Sequence, residues 1–366
     1  MREVASIVAA GVTAVFVLGC AEPELETQRL ASQSAVMNAT AGGLFVPAYF
    51  SADSGGDAAF AQIAAGHQSE LPEIAIVNAG CDASGNVNPQ TGGCVIGGGP
   101  GAGRSGYVHD KIAYLRARGI KVFGYVWAGR VTTNGKTAYR NSSDIVADMR
   151  AWAQNYMDAD NPLTLVNGFF FDSAYRATAG GVAQAEYIAA QAAEYGTWSG
   201  PAVGEIGQSA GGRSIFNWGT TEAEYMRPYL DCTLRGTGGA NDGWNYVVVQ
   251  EDAATQFMGA NGELPTWARY QYNPGHFISI VHHASSDPAD VTGLLAAARQ
   301  RWNSAYAYVT DLPSADNSHY YSTAPAAGVW QAQAAQGGTA SYVYGAGDDV
   351  LAAACPAPSA ATPAYP

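Results

Sequence analysis

The sequence predicts an α/β fold, a single (β/α)8 barrel of the TIM type, on three observations. Short apolar runs, several rich in β-branched or aromatic residues, recur along the chain. Helical patterns lie between several of them. No Pro/Gly/Ser linker divides the roughly 270 residues they occupy, a length that suits one barrel.

The runs are Leu44–Phe50, Ile74–Asn78, Lys121–Trp127, Gly168–Asp172, Ser214–Trp218, Tyr246–Gln250, Phe277–His282 and Ala305–Thr310. Strands that are apolar throughout are buried on both faces, which means a parallel sheet covered by helices. Among the helical segments, Val108–Arg118 puts Ile112 and Leu115 on one face and stops at Gly119. Asp144–Tyr156 follows the cap candidates Ser142 and Ser143 and carries Ile145, Met149, Trp152 and Tyr156 at helical spacing. Val182–Tyr195 and Val291–Trp302 read likewise.

With 48% hydrophobic residues, 8 Trp, 21 Tyr and 11 Phe, the chain is too apolar to be disordered. Its 31 Asp and Glu outweigh 18 Lys and Arg, a net charge of −13. Such a surface repels nucleic-acid phosphates and anionic lipid headgroups and suits a neutral or cationic ligand.

Arg2 precedes an apolar run, Val4 to Leu18, shorter than the ~20 residues of a membrane-spanning helix. It ends in Val17-Leu18-Gly19-Cys20, which resembles a bacterial lipobox. Residues 1–19 then form a cleaved lipoprotein signal peptide and Cys20 carries the lipid; an ordinary signal peptide is the alternative. Ala21 after Cys20 resembles the pattern of outer-membrane sorting, so an exported protein held to a membrane through that lipid alone is expected. Residues 20–42 read as a polar tether, 43–345 as the barrel and 346–366 as a C-terminal tail.

Four further cysteines, Cys81, Cys94, Cys232 and Cys355, permit three pairings, and export favours bridges. Cys81 and Cys94 flank a Gly/Asn/Pro loop, so a local bridge is expected, with Cys232–Cys355 holding the tail. No C-x-x-C or neighbouring His completes a zinc set.

Three motifs compete for attention. Gly101-Ala102-Gly103-Arg104-Ser105-Gly106 matches the dinucleotide pattern, yet it does not directly follow a strand, and no ribose-binding acid stands near residue 125. No cofactor is expected. Gly207-Gln208-Ser209-Ala210-Gly211 matches a nucleophile elbow that Asp311 and His319 could complete as a serine esterase, but it leads towards a strand instead of a helix. His276, His282 and His283 raise a metal site; adjacent strand residues point oppositely, so His282 facing the barrel mouth is the better reading, and no metal is expected.

Acids at strand ends are the stronger signal, because barrel enzymes place their chemistry where strands end. Asp172 closes Gly168-Phe169-Phe170-Phe171, Glu251 closes Tyr246-Val247-Val248-Val249-Gln250, and Asp311 closes Tyr308-Val309-Thr310. Helix capping is the ordinary use of a single such acid. Two acids after apolar strands, with few Lys or Arg nearby, point instead to paired-carboxylate chemistry, most commonly glycoside hydrolysis. Tyr49, Tyr125, Trp127, Trp218, Tyr272 and Trp330 are candidate surfaces for sugar faces, with core packing the alternative for each.

Gly43–Phe50, Gly119–Val126, Asp144-Ile145, Gly168–Asp172, Asn217-Trp218-Gly219-Thr220, Val247–Glu251 and Val309-Thr310-Asp311 occur in the order of one family. From about residue 43 to 345 the chain resembles the spherulation-specific family 4 (spherulin-4-like) proteins. The resemblance implies a (β/α)8 barrel and a glycoside hydrolase acting on galactosamine-containing exopolysaccharide of biofilm type. It implies catalytic roles for Asp172 and Glu251. Two positions depart from the family: Ser173 stands where Glu commonly follows the strand-four Asp, and Trp218 where Pro commonly follows the Asn.

In this reading Asp172 stays ionised and attacks the anomeric carbon, while Glu251, with its pKa raised, donates and later accepts a proton. The expected enzyme is retaining and endo-acting. Tyr49, Tyr125, Trp127, Asn217, Trp218, His282 and Asp311 are expected to bind substrate, and the acidic mouth to attract a cationic hexosamine polymer. A catalytically silent carbohydrate-binding surface lipoprotein is the main alternative, motivated by Ser173.

Overall fold

A computed structural model describes the chain over 36–50, 54–66, 74–80, 98–133, 136–158, 160–174, 213–219, 246–259, 274–312, 324–335 and 338–344, with isolated positions between. All of these belong to one compact unit, Val36–Pro366. Cys20, Cys81, Cys94, Cys232, Cys355, Ser209 and His319 lie outside the described residues. So do the leader, residue 345, the tail 346–366 and most of the helix expected at Val182–Tyr195.

In chain order the strands are β1 (Val36–Pro47), β2 (Ile74–Val77), β3 (Lys121–Trp127), β4 (Arg130–Thr133), β5 (Lys136–Tyr139), β6 (Gly168–Asp172), β7 (Arg213–Asn217), β8 (Tyr246–Ala253), β9 (Phe277–His282), β10 (Tyr306–Val309) and β11 (Gly338–Tyr344). Eight of them, β1, β2, β3 and β6 to β10, pair in parallel in that order. The sheet closes on itself where Gly43 and Leu44 of β1 pair with Tyr306 and Ala307 of β10. This is the (β/α)8 barrel that the apolar runs predict. β4 and β5 form an antiparallel hairpin just beyond the end of β3.

One boundary differs from the sequence reading. The tether expected to extend to residue 42 gives way at Val36 to strand, because 36–42 pair antiparallel with β11, from Val36↔Tyr344 to Gly42↔Gly338. After Val36-Met37 the segment is only Asn, Ala, Thr and Gly, which carry no strand period of their own. A partner ladder from the far end of the chain supplies the conformation.

The helices are α1 (Ser54–Gly66), α2 (Gly106–Arg116), α3 (Ser142–Tyr156), α4 (Ala254–Phe257), α5 (Pro288–Gln300) and α6 (Ala327–Ala335). Two start on side-chain caps: Ser105 Oγ accepts from Val108 N, and Asp287 Oδ1 accepts from Ala289 N with Pro288 next in line. No described helix is long and apolar enough to cross a membrane.

Alternation along the strands divides the core in two. Phe45 and Phe170 meet inside the barrel at 6.0 Å between ring centroids, as do Phe123 and Tyr246 at 6.2 Å and Tyr246 and Tyr306 at 5.4 Å. Phe169 and Phe171 take the opposite face of β6, where Phe171 stacks on Phe216 at 4.9 Å. Each such buried ring contributes roughly 1.5–3 kcal/mol. The barrel is thus filled from within and sheathed from without, and open positions fall at the strand ends.

Candidate active site

Four neighbouring strands, β3, β6, β7 and β8, each bring one polar side chain to the same place: Tyr125, Asp172, Asn217 and Glu251. On β3 and β6 the phase is plain. Tyr125 pairs in register with Phe170, which faces the barrel interior, and Asp172 is two residues further along the same face. Asn217 ends β7, opposite Val248 of β8.

Glu251 reaches the group through an irregularity. Val248 pairs with Ile278 of β9, but Gln250 pairs with Ser279, so β8 carries one extra residue there. Simple alternation from Tyr246, which lies inside the barrel, would turn Gln250 inward and Glu251 out. The bulge reverses the phase and puts Glu251 on the face of Tyr246 and Val248.

Asn217 joins the two acids. Its Nδ2 donates to Asp172 Oδ1 at 2.8 Å and to Glu251 Oε2 at 2.6 Å. Its Oδ1 accepts from Gly219 N at 2.9 Å, which fixes which end of the amide faces the carboxylates. Gly219 has φ +70, and this left-handed turn also leaves its carbonyl to accept from Glu251 N at 2.8 Å. Asp172 Oδ1 accepts further from Ser173 N at 2.9 Å, and Oδ2 accepts from Tyr125 Oη at 2.6 Å. Ser173 itself sits at φ +55, a strained conformation for a residue with a Cβ, directly beside the acid it serves.

Both acids hold their protons more tightly than usual, for different balances of reasons. Burial pushes the Asp172 carboxyl up, while hydrogen bonds from Tyr125, Asn217 and Ser173 pull it back towards the ionised form. Burial and then the Asp172 charge push Glu251 up to about 7; Asn217 opposes the shift and Asp252 adds to it. Near neutrality Glu251 is poised to give up its proton, and the hydrogen bonds that converge on Asp172 favour its ionised form. This arrangement can offer a nucleophile and a general acid together.

The end of β3 is braced from below. Arg140 and Asp148, 5% and 1% exposed, pair at 2.5 Å, and Arg140 Nη1 also donates to the Trp127 carbonyl at 2.9 Å. Trp127 pairs in register with Asp172, and its indole N–H donates to the Arg130 carbonyl at 3.2 Å. Tyr49 packs edge-on against Tyr125 at 5.2 Å and keeps partial exposure, as does Trp127.

Other expected site residues are placed elsewhere. Trp218 is 4% exposed and belongs to the core, as do Tyr272 and Trp330, so none of the three offers a face to a sugar. Asp311 spends Oδ1 on the backbone N–H of Ala326 at 3.0 Å, the capping use of a strand-end acid. His282 ends β9 in the phase of Ile278 and Ile280. His283 was expected to point away from it. Instead His283 has left the strand at φ +53, and its Nδ1 comes within 2.7 Å of His282 Nδ1. Burial and His283 hold His282 below the usual histidine range. Among the described residues no group of three His, Cys, Asp or Glu side chains is placed to hold a metal ion. In the glycine-rich loop, Ser105 caps α2 and Arg104 pairs with Asp158 at 2.6 Å, a structural use. The roles of Gly219, Arg140, Asp148 and the Ser173 N–H were not foreseen; Ser173 stood out in the sequence only as a departure from the family, and Gly219 carried a signal as a glycine two residues past a strand-end Asn.

No family model and no curated protein matches the chain. Among solved structures, Sph3 of Aspergillus clavatus, determined in complex with GalNAc, aligns with a TM-score of 0.52 and 17% identity. The match covers 80% of this chain and 98% of that one. The likeness is one of fold. The glycoside hydrolase domain of PelA from Pseudomonas aeruginosa gives a TM-score of 0.37 at 14% identity over 76% of this chain and 96% of its own.

Proposed function

We propose that this chain is a retaining glycoside hydrolase that cleaves a hexosamine-containing exopolysaccharide, with Asp172 as nucleophile and Glu251 as acid and base. The observation that carries the reading is the single amide nitrogen of Asn217 set between the two carboxyl groups. At 2.8 and 2.6 Å from that nitrogen, the two oxygens are at most about 5.4 Å apart, compatible with the ~5–5.5 Å of retaining pairs. Glu251 donates its proton to the glycosidic oxygen as the bond from that oxygen to the anomeric carbon breaks, and an Asp172 oxygen bonds to the carbon. Water then attacks the same carbon, gives its proton to Glu251 and releases Asp172. The partly exposed rings of Tyr49 and Trp127 offer faces for neighbouring sugars.

The substrate class follows the resemblance in sequence and agrees with the hexosamine in the Sph3 complex. A net charge of −13 favours a partly deacetylated, cationic polymer. Release of reducing ends from galactosamine-rich exopolysaccharide, lost in Asp172→Asn, is the expected result. Retention on that polymer in a pull-down without any such release would leave a binding protein and no enzyme. The proposed location is an outer membrane, held through a lipid on Cys20; Cys20→Ser should free the protein from the membrane fraction, and continued sedimentation would refute the anchor.

A further inference from the structure

We infer that Tyr125 is a positioning residue that fixes the order in which Asp172 and Glu251 ionise across the Asn217 amide that joins them, and so decides which acid attacks and which donates. The consequence for turnover rests on the glycosidase reading; the proton order itself does not.

Two acids this close cannot both ionise freely, so one negative charge is shared unless something assigns it. The donors assign it. Asn217 offers one amide hydrogen to each acid and is neutral between them. Its own direction is locked by Gly219 N on Oδ1, so it cannot turn its oxygen towards the carboxylates. Tyr125 breaks the tie. Its hydroxyl donates to Asp172 Oδ2 at 2.6 Å, and Ser173 N adds a further donor to Oδ1.

Tyr125 is held for this purpose from three directions. Its ring meets Tyr49 edge-on at 5.2 Å and Phe170 at 5.8 Å, and its carbonyl accepts from the Trp152 indole at 2.9 Å. At 4% exposure it has little surface left for a ligand. From β8, the Asp252 carboxylate further opposes ionisation of Glu251, and it also bears on His282 of β9. Charge therefore settles on Asp172 and the proton on Glu251.

The test is a carboxyl-carbon NMR titration of the full chain labelled at Asp and Glu, with Asp172→Asn and Glu251→Gln used to assign the two signals. In the wild type Asp172 should titrate below Glu251. In Tyr125→Phe, which keeps the ring and removes the hydroxyl, the two midpoints should draw together by about one pH unit, tenfold in relative proton affinity. In Asn217→Ala both midpoints should move. An Asp172 midpoint above that of Glu251 in the wild type, or an unchanged separation in a folded Tyr125→Phe, overturns the inference. Because the wild-type order is read without any variant at Tyr125, misfolding of that variant does not shield the idea. A parallel profile of kcat/KM against pH should narrow from its acidic side in Tyr125→Phe. Normal titrations with no sugar release would sink the glycosidase reading and leave the proton order standing.

Discussion

Trp152 of α3 fills the space that any side chain at Gly124 of β3 would need. A Cβ at Gly124 would come within 2.7 Å of the indole ring carbons, and the indole N–H donates to the carbonyl of the next residue, Tyr125. The helix thus seats the strand one residue before the hydroxyl that touches Asp172. Gly124→Ala should cost about 1–3 kcal/mol by overpacking. Urea denaturation measures the loss, and turnover should fall with it as Tyr125 is displaced.

Activity should follow a bell in pH. The rising limb is ionisation of Asp172, above the ordinary carboxylate range, and the falling limb near 7 is loss of the Glu251 proton. Asp172→Asn should abolish turnover, by on the order of 10³-fold or more, while leaving the fold intact. Removing that negative charge should also lower the Glu251 midpoint, read by carboxyl NMR. Wild-type-like activity in Asp172→Asn would end the nucleophile assignment.

The same shift has a stability consequence of known sign. Glu251 binds its proton more tightly folded than unfolded, so from its ordinary value of 4.5 up to about 7 the folded state loses stability as pH rises. Above that range the cost is fully present. Glu251→Gln should therefore be more stable than the wild type at pH 8, by on the order of 1–3 kcal/mol, and no more stable at pH 4. Thermal melts at the two pH values check it, and a gap that is larger at pH 4 refutes it.

At Gly219 the backbone conformation and not the space is the constraint. Nothing lies within 4 Å of where its Cβ would stand, but φ is +70. Gly219→Ala should cost about 1–2 kcal/mol and release the Asn217 amide, lowering kcat. Gly219→Asn, which tolerates this region better, should recover part of both. Equal losses in the two variants would argue against a conformational cause.

Breaking the Arg140–Asp148 pair leaves one charge stranded beneath the end of β3. Asp148→Ala should cost roughly 3–5 kcal/mol, well beyond the effect of an exposed pair. Denaturant titration gives the figure; a loss below ~1 kcal/mol would mean that water reaches the guanidinium.

Much of the frame was legible in the sequence because burial on both faces of a strand leaves a mark in composition. Runs such as Gly168–Asp172 and Phe277–His282 coincide with β6 and β9 to the residue. The acids closing two of the runs were legible for the same reason: a carboxylate after an apolar strand stands out. The aromatics were not. Tyr49 and Trp127 keep exposed surface while Trp218, Tyr272 and Trp330 are core, and residue type does not tell a platform from a filler. Tyr125 proved to be neither, since its hydroxyl is spent on Asp172.

By itself, then, the sequence determined the number, order and approximate limits of the barrel strands and the acids at or near the ends of two of them, Asp172 ending β6 and Glu251 two residues short of the end of β8. Tyr246-Val247-Val248-Val249 has no alternation, so it holds no information about which way Glu251 turns. That direction depends on one extra residue in β8 against β9, and on a β7 asparagine whose amide is oriented by Gly219. These are pairings between segments remote along the chain. Only the closed barrel, which sets each strand's register against its neighbours, decided that Asp172 and Glu251 would meet across Asn217.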